Sequence, residues 1–474
     1  ILNEIKDFYQ NLYKESTKSE LSNNLFLNEN IPKLSDNCLQ ISEEEITIHE
    51  CTKALKNMKN NKTPGSDGIS VEFYKIFWND VKYLVFESFM HAYDIGELSI
   101  DQKRGIIKLL PKKDKILKFL KNWRPISLLN TDYKILAHVL AARLQQILPY
   151  IIHPDQNGYI KGRFIGNNIR TIYDLIQISE SKDIANIITF IDYEKAFDNI
   201  NLAFLFNTLE RFGFGQYFIQ WIKIMYTNVS SCVVNNGFSS AFFQLSKGVR
   251  QGCPLSALLF LTVVEVLAIK IRCSNDVNGI KVNDKEIKIS LLADDTTIFT
   301  QNLESLHNVL KIMKDFTKLS GLKINESKTK VLQVGNQVWN VKNLGLDNVE
   351  KINSLGTWFF KTTKEIISKN YDEKYKLFES IIEYWRNKDL NLLERIRIVK
   401  TFALSKLNYT LGSLETNQAF AEQLQSKIND FVWKSKKPKI KQNVSYQSIE
   451  NGGLAIPNVN FLLMANRASW IKRL

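Results

Sequence analysis

The stretch SLLADDTTIF, residues 290–299, places two adjacent carboxylates, Asp294 and Asp295, in a run that is otherwise apolar or β-branched. A carboxylate in apolar surroundings takes up a proton or finds a partner, because leaving it charged and unpaired is costly. Two interpretations follow: a polar turn between two strands of a hairpin, or a site where a cation makes both charges favourable. The rest of the chain has to decide between them.

A second acidic stretch, FIDYEKAFD (residues 190–198), follows a pattern typical of a buried strand. Asp192 would lie at the end of that strand, where loops carry chemistry, although an isolated Asp in this position is more often a cap or turn residue. Three converging carboxylates suit Mg²⁺, which prefers oxygen ligands. Two such ions about 4 Å apart form the clamp used for in-line attack at phosphorus. Together, the two stretches favour a metal-dependent phosphoryl-transfer site.

Composition limits the class of protein. A chain of 474 residues is long enough for two or three subdomains. Its net charge of +14 indicates a polyanionic partner, either nucleic acid or an acidic membrane surface. The longest apolar run, residues 258–269, is too short to span a bilayer and carries Glu265. The five scattered cysteines support neither a disulfide framework nor a zinc site, so we expect a reduced, intracellular compartment. The start at Ile1 rather than Met leads us to expect a piece of a longer polyprotein.

Periodicity predicts a mixed α/β body with an antiparallel sheet, followed by a helical module beyond about Asp372. Residues 1–40 are expected to form a helix and a loose connector. A first helix is predicted to start at a capping-box pattern in ISEEE (41–45), and the stretch 201–228 is predicted to be largely helical. A further predicted helix ends at Gly321 and carries four apolar residues on one face: Leu306, Leu310, Met313 and Phe316. The predicted strands are a basic ribbon over 101–124, a strand at 185–191, a pair around an Asn-Asn-Gly turn in 230–245, and strand, turn, strand, tight turn, strand over 279–299.

Three motifs in the order FIDYEKAFD, KGVRQGCPLSALLF and LLADDTTIF resemble the successive palm motifs of reverse transcriptases. Other segments narrow the resemblance to the non-LTR, LINE-type group, which it covers from about Asn61 onward. These segments are NKTPGSDGISVEFYK (61–75), NWRPISLLNTDYKILAHVLAARL (122–144), DQNGYIKGRFIGNNI (155–169), GLKINESKTKVL (321–332), SLGTWF (354–359), LERIRIVKTFALSKLNY and ENGGLAIPNVNFLLMANRASWIKRL.

The resemblance implies an α+β right-hand polymerase, with fingers and palm built on an antiparallel sheet and packed helices, followed by an α-helical thumb. The implied domains are 1–40 linker and helix, 41–100 N-terminal extension, 101–345 fingers and palm, and 346–474 primer grip, thumb and start of a C-terminal linker region. The implied activity is RNA-directed DNA synthesis on retrotransposon RNA, primed from nicked target DNA. The implied partners are an RNA template, a DNA primer or target DNA, and dNTPs, with no membrane. The implied locations are a cytoplasmic ribonucleoprotein and the nucleus.

By resemblance, Asp192, Asp294 and Asp295 are the metal-binding triad, and the carbonyl of Tyr193 is a further ligand. The implied cofactor is two Mg²⁺ ions, with Mn²⁺ as a substitute. Phe197 matches the aromatic steric gate, whose ring would clash with a 2′-OH and so select deoxynucleotides. Without the family motif, Phe197 would be interpreted as an ordinary core residue.

Five further residues are assigned to the nucleotide. Arg124 matches the fingers arginine on the triphosphate, because a planar fork suits phosphate oxygens; taken alone it would fit a surface salt bridge equally well. Lys108 and Lys112, in the same basic ribbon, are further phosphate candidates. Gln251 is expected to contact the sugar and the template base, and Gly252 to allow close backbone approach. A plain helix start is the alternative for this segment.

Lys328 resembles the lysine that protonates the departing pyrophosphate, although lysines are usually solvated. Leu355 and Gly356 resemble the turn that grips the primer end. Asp198 is interpreted as structural, pointing away from the strand end that carries Asp192. Leu292 departs from the family pattern, which has Phe or Tyr there, and this residue is expected to line the primer terminus.

Two rival classes are considered. Viral RNA-dependent RNA polymerases usually have Gly before the Asp pair and a small or polar residue in place of Phe197, and intron-encoded maturases differ in the C-terminal region. A copy that has lost activity and only binds RNA through its positive charge is the non-enzymatic alternative. Intact Asp192, Asp294, Asp295 and Arg124, together with Gln251, argue against such a loss.

Overall fold

The computed structural model describes residues 1–14, 26, 30–434 and 437–473. Helices and strands alternate up to about residue 360, and the elements after it are helical, which confirms the predicted α+β class. The chain divides into two compact units. The first unit comprises Ile1–Arg163, Ile191–Thr329 and Leu344–Leu346, and the second comprises Phe164–Phe190, Lys330–Asn343 and Asp347–Leu474. The four domains inferred by resemblance stay a prediction.

The first unit contains most of the long buried helices. Thr131–Ile151 and Ser256–Cys273 are apolar on nearly every face, which is typical of helices enclosed by other elements. The α-helices of this unit are Leu2–Tyr13, Asp36–Glu43, Ile48–Asn57, Val71–Ile95, Ile100–Lys103, Thr131–Ile151, Ala196–Asn199, Leu202–Phe212, Gln216–Tyr226, Ser256–Cys273 and Leu303–Ser320. In the described part of the chain, none of the helices combines the length and the apolar character needed to cross a bilayer.

The strands of the first unit form one larger sheet and two hairpins. In the sheet, Arg104–Pro111 pairs antiparallel with Trp123–Leu129 and parallel with Ser230–Asn235. Short strands Phe238–Ser239 and Phe243–Gln244 also pair with Ser230–Asn235. The hairpins are Ile280–Val282 with Lys285–Ile287, and Ile289–Leu292 with Asp295–Thr300.

The second unit is a small set of strands with a helical body. The buried strand Asn186–Ile191, whose last residue belongs to the first unit, pairs antiparallel with Lys330–Val334. The other strands are Asp347–Asn348, Lys351–Ser354 and Thr357–Phe360. The α-helices are Gly166–Lys182, Thr363–Arg386, Leu392–Ile398, Asn408–Ser413, Gln418–Val432, Gln442–Tyr446 and Val459–Ile471. The predicted change to mainly helical structure is thus confirmed, although it begins at Thr363, nine residues before the predicted Asp372.

Several local predictions are confirmed. The basic ribbon contains two strands, the 201–228 stretch contains two helices, and Asn236-Gly237 turns the predicted strand pair with positive φ at both residues. Leu303–Ser320 buries the four expected apolar residues and ends at Gly321 in the left-handed conformation. The loose connector predicted within residues 1–40 falls largely on 15–25 and 27–29, outside the described residues.

Two local predictions are wrong. The helix expected to start at Ser42 begins at Ile48 instead, and Thr47 and Glu50 form its capping box. Ser42 lies inside the preceding helix Asp36–Glu43, where its hydroxyl donates to Leu39 O, so its backbone is helical rather than the extended backbone of an N-cap. The middle strand of 279–299 is interrupted at Lys288, which separates Lys285–Ile287 from Ile289–Leu292.

Candidate active site

The paired acids sit at the tip of a two-residue hairpin. Asp295 pairs with Leu292, which leaves Ala293 and Asp294 as the turn. Ala293 has a φ of 57°, the left-handed conformation that tight hairpin turns of this kind require. Both carboxylates are open to solvent on one side. The turn that sequence predicted is therefore present, and both acids are brought together by it.

The residues before this hairpin hold its turn in place. Gln156 Oε1 accepts hydrogen bonds from Ala293 N and Gly158 N, each 2.8 Å long. Asn157 N donates to Leu291 O at 2.8 Å. A Cβ added at Gly158 would lie only 2.4 Å from Ala293 N, so a glycine is needed where the two backbones meet. The segment thus fixes the backbone that carries Asp294.

Asp192 follows the fully buried strand Asn186–Ile191 directly. Its backbone N–H donates to Thr329 Oγ1 at 3.3 Å, and its carbonyl accepts from Asn325 N at 2.7 Å. Lys328 Nζ lies 3.2 Å from Asp192 Oδ2, so the ammonium group neutralises this carboxylate. The predicted location of Asp192 at a strand end agrees with the structure.

The three carboxylates act on one another electrostatically. Desolvation by the surrounding protein, followed by the charges of Asp294 and Asp192, raises the pKa of Asp295 to about 6. Desolvation and then Asp192 also raise the pKa of Asp294, while Arg124 opposes this shift. Like charges held in one place with raised pKa values are the chemistry that a hard divalent cation would stabilise. Asp192, Asp294 and Asp295 therefore fit as metal ligands by donor type.

Within the described part of the chain, the three carboxylates do not form a closed cage for a metal ion. Across the residues that the structure describes, no three acidic, histidine or cysteine side chains meet closely enough to hold a metal ion by themselves. Mg²⁺ commonly completes its coordination with water and substrate phosphates rather than with protein ligands alone. The arrangement thus fits ions that bind together with a nucleotide.

Asp192 and Asp294 line a cleft of about 1810 Å³ in the first unit. Positive charge predominates on its walls. The basic residues are Lys112, Lys115, Lys121, Arg124, Lys134, Lys195, Lys247, Arg250, Lys323 and Lys328, against the acidic residues Asp192, Glu194, Asp198 and Asp294. Such an excess attracts a polyphosphate. The cleft combines anion attraction with a local acidic centre.

The basic ribbon contributes unevenly to the cleft. Arg124, in the strand Trp123–Leu129, is exposed on the cleft wall, and Lys112 lines the wall just beyond the end of Arg104–Pro111. Desolvation, then the charges of Lys328 and Arg124, lowers the pKa of Lys112. Lys108 is exposed further back on its strand and does not line the cleft. The structure therefore brings two of the three ribbon candidates together.

Phe197, Gln251 and Gly252 line the same cleft. The Phe197 ring is half-buried and stacks on Phe260, with centroids 4.7 Å apart and planes 17° apart. Gly252 has a φ of 108°, and a Cβ there would come within 2.6 Å of Ser127 O. The close backbone approach expected at Gly252 is therefore to the strand Trp123–Leu129.

Other assigned residues have mixed placements. Tyr193 lines the cleft beside Asp192, and the role of its carbonyl as a metal ligand stays a prediction. Leu355 and Gly356 form the turn of a hairpin in the second unit, with φ of 52° and 73°. The Tyr409 hydroxyl donates to Leu355 O at 2.6 Å and holds that turn. Leu292 ends its strand beside the acidic turn and is half-buried.

Sequence reasoning missed part of the cleft wall. Lys195 and Lys247 line it, although each lies within a motif already identified, so the basic residues of those motifs were an available signal. Asp198 was interpreted as structural and as pointing away from the strand end of Asp192, but it lines the same cleft, where its carboxylate accepts from Tyr13 and Gln251. Three residues of the first helix, Phe8, Asn11 and Leu12, complete this side of the cleft. The amphipathic spacing of that helix signalled burial but not its location.

A family model described as "Reverse transcriptase (RNA-dependent DNA polymerase)" matches residues 110–357, which is more than half of the chain. The chain belongs to the reverse transcriptase family. All the acidic residues of the cleft, as well as Arg124, Phe197 and Gln251, fall inside the matched region. The first helix, which also contributes to the cleft, falls outside it.

Curated relatives confirm the resemblance of this reverse transcriptase to those of non-LTR retrotransposons. It is 30% identical over 99% of its length to the "Transposon TX1 uncharacterized 149 kDa protein" of Xenopus laevis. It is 26% identical, over 62% of its length, to the Pol polyprotein of the retrotransposable element R2 of Popillia japonica. The matches cover 36% and 39% of those two proteins, so the chain spans little more than a third of these relatives.

Among solved structures, the reverse transcriptase aligns with telomerase from Candida albicans in complex with a TWJ fragment of telomeric RNA. The TM-score is 0.46 at 11% identity, over 82% of this chain and 69% of that one. Telomerase from Candida tropicalis aligns with a TM-score of 0.44 at 13% identity, over 86% of this chain and 66% of that one.

Proposed function

We propose that this chain is an RNA-directed DNA polymerase that copies retrotransposon RNA into DNA by two-metal nucleotidyl transfer. The observation that supports this most is a single basic cleft lined by Asp192, Asp294, Arg124, Phe197 and Gln251. The carboxylates supply metal ligands, the arginine supplies a phosphate partner, and the ring and amide supply contacts for a sugar. The composition of the cleft is that of a site for a nucleoside triphosphate.

Each side chain has a role in the proposed reaction. The primer 3′-OH gives up its proton to water, its oxygen bonds to the α-phosphorus of a dNTP, and the bond from that phosphorus to the bridging oxygen breaks so that pyrophosphate leaves. Arg124 and Lys112 bind the phosphate oxygens and orient the triphosphate. Phe197 excludes a ribose 2′-OH. Lys328 donates a proton to the departing pyrophosphate. Bound to Asp192, Asp294 and Asp295, two Mg²⁺ ions would lower the pKa of the 3′-OH and stabilise the charge on the phosphates.

The wider biological role extends the proposal. We infer that the primer is the 3′ end of nicked target DNA, and that the template is the RNA of the element that encodes the chain. This setting would require a cytoplasmic ribonucleoprotein that later enters the nucleus. Support comes from relatives named as Pol polyproteins of retrotransposable elements.

Primer extension on an RNA template tests the activity directly. With Mg²⁺ and dNTPs, the wild-type chain is expected to extend a DNA primer. Asp294→Asn, which keeps the size of the side chain and removes its charge, is expected to lower the rate by at least about 100-fold, the scale of losing a metal-stabilised transition state. Measured rates of extension with each protein give the comparison.

Asp284→Asn is the matched control, because Asp284 is exposed in the turn of a different hairpin of the same unit. Its rate is expected to equal that of the wild type. Extension with rNTPs in preference to dNTPs would favour the RNA polymerase alternative. A folded protein that binds RNA but extends no primer would support the non-enzymatic alternative instead.

A further inference from the structure

The first helix, Leu2–Tyr13, is built into the core of the first unit. Its buried residues Ile5, Tyr9 and Tyr13 recur every four positions, so they share one helical face. That face packs into a cluster formed by Ile107, Val229, Val233, Phe243 and Leu245. The end of the helix is fixed by Ser246 N, which donates to Tyr13 O at 3.0 Å. Tyr13 therefore has a defined position beside the cleft.

Tyr13 and Gln251 bind the two oxygens of one carboxylate. The Tyr13 hydroxyl donates to Asp198 Oδ1 at 2.8 Å, and Gln251 Nε2 donates to Asp198 Oδ2 at 3.1 Å. Asp198 is only 1% exposed; its bond to Tyr13 is buried, and its bond to Gln251 is partly buried at the cleft wall. An ionised carboxylate only accepts hydrogen bonds, so it orients the amide of Gln251 with its nitrogen inward. The amide oxygen is then the atom that Asp198 does not engage.

The backbone next to these residues is already fixed. Gly248 N donates to Ile200 O at 2.7 Å, and Val249 N donates to Phe197 O at 2.8 Å. A Cβ at Gly248 would lie 2.5 Å from Asp198 O, so the two segments touch at a glycine. The backbone carbonyl of Gln251 accepts from Ser127 N at 2.7 Å. What these bonds leave adjustable is the side-chain orientation of Gln251.

We infer that Tyr13 is a positioning residue of the nucleotide site. Its hydroxyl holds Asp198, and Asp198 in turn holds the Gln251 amide in the orientation that meets the sugar of an incoming nucleotide. The helix Leu2–Tyr13 is thereby part of the nucleotide site, although it lies outside the matched family region. This inference rests on the proposed function, because it assigns a nucleotide to the cleft.

Tyr13→Phe tests the inference, since it removes the hydroxyl and keeps the packed ring. The KM for dNTP is expected to rise about 3- to 10-fold, the range that loss of one hydrogen bond gives, with kcat changed much less. Tyr9→Phe is the matched control. Tyr9 lies one turn earlier on the same buried face, and its hydroxyl has no hydrogen-bond partner among the described residues. An equal rise in KM for both variants would overturn the inference.

A double-mutant cycle with Gln251→Ala separates positioning from general support of the fold. If Tyr13 acts through Gln251, Tyr13→Phe adds no further rise in KM once Gln251 is truncated. If the rise in KM of the double variant equals the product of the rises in the two single variants, the inference is overturned. Asp198→Asn is a second variant: it keeps an acceptor for Tyr13 but allows an amide donor to face Gln251, and a raised KM for dNTP is expected.

Nucleotide binding provides a readout that does not depend on polymerisation. We expect dATP with Mg²⁺ to raise the melting temperature of the wild type and of Tyr9→Phe. The rise is expected to be smaller for Tyr13→Phe. A wild type that shows this rise but extends no primer contradicts the proposed function and leaves the role of Tyr13 measurable. A wild type that neither binds dATP nor extends a primer overturns both.

Discussion

At the scale of single residues, Phe197 is the side chain expected to distinguish dNTPs from rNTPs. Its ring stacks on Phe260, so it cannot turn aside without losing that contact. Phe197→Ala is expected to raise the ratio of kcat/KM for CTP to that for dCTP by about 10-fold or more, the scale of a steric contact in a pocket. Single-nucleotide extension with the two substrates measures the ratio.

Phe238→Ala is the control for this prediction. Phe238 is 73% exposed and lies outside the cleft lining, so its removal is expected to leave the ratio unchanged. A ratio that stays the same in Phe197→Ala as well would mean that the ring at 197 serves only to pack against Phe260.

Residue positions were predictable from the sequence where a motif ties a side chain to a strand end or a turn. Asp192 and the Asp294–Asp295 pair are examples. Lys108 shows why the basic composition of the ribbon was insufficient to predict which of its lysines reaches the cleft. It lies four residues before Lys112, which is about 13 Å back along an extended strand, so only Lys112 reaches the cleft.

At the scale of elements, the contact between Gly158 and Ala293 supports the acidic hairpin. Gly158→Ala is expected to push the hairpin turn away, because the new Cβ would meet backbone rather than a flexible side chain. We expect a loss of roughly 1–3 kcal/mol in the free energy of unfolding, the usual range for overpacking, and a fall in the rate of primer extension. Urea denaturation and extension assays measure the two effects.

Gly412→Ala offers a control for the same kind of substitution. Gly412 lies in the helix Asn408–Ser413. Apart from its chain neighbours and the backbone of its own helix, no atom of the described residues lies within 4 Å of the Cβ it would gain. Alanine is the better helix former, so this variant is expected to be as stable as the wild type or slightly more so. Equal stability of the two glycine variants would contradict a tight contact at Gly158.

The helix Ser256–Cys273 contains one buried acid, Glu265, which is paired with Arg272. Burial raises the pKa of Glu265 to about 7, and the charge of Arg272 opposes this. The folded state therefore binds the proton more tightly than the unfolded chain. The stability that the protonated Glu265 contributes to the folded state is complete below about pH 4.5, and it is lost as the pH rises through 7.

Glu265→Gln is expected to flatten the dependence of melting temperature on pH between about 4.5 and 7. At pH 8 the variant should be more stable on the order of 1 kcal/mol, because an amide avoids the cost of a buried charge. Arg272 keeps a partner in Asp155, 2.8 Å away. Glu87→Gln changes an exposed acid and is expected to leave the pH dependence unchanged. An identical slope in all three proteins would contradict the assignment to Glu265.

Element boundaries were less predictable than element types, and both errors have a tertiary cause. The patterns at Ser42 and Thr47 both resemble capping boxes, and only the packing of the preceding helix decides between them. The strand broken at Lys288 is a similar case. Its ammonium group donates to Arg272 O and Ser274 O at the end of a helix, a contact that local periodicity does not encode.

At the scale of the whole molecule, the charge of +14 predicts salt-sensitive binding of nucleic acid. The logarithm of the association constant for an RNA–DNA hybrid should fall linearly with the logarithm of salt concentration. Lys121→Ala, which removes a charge from the cleft wall, is expected to reduce the slope by about 1. Fluorescence anisotropy at several salt concentrations measures the slope.

Lys285→Ala removes an equal charge from an exposed strand outside the cleft lining, and it is expected to change the slope less. Equal slopes for the two variants would mean that net charge, rather than the cleft, governs binding. The sequence was sufficient to give the net positive charge and to predict a polyanionic partner. The location of many basic residues on the walls of one cleft required the folded chain.

The bond between Tyr13 and Asp198 joins residues 185 positions apart. A ribosome adds about 5–20 residues per second, so roughly 10 to 45 s pass between the synthesis of Tyr13 and that of Leu245, the last residue of the cluster that covers the apolar face of this helix. During that interval Ile5, Tyr9 and Tyr13 are open to chaperones and to other nascent chains. Completion of the cleft beside Tyr13 therefore follows the synthesis of the first helix by that interval, and it is timed by translation rather than by local folding.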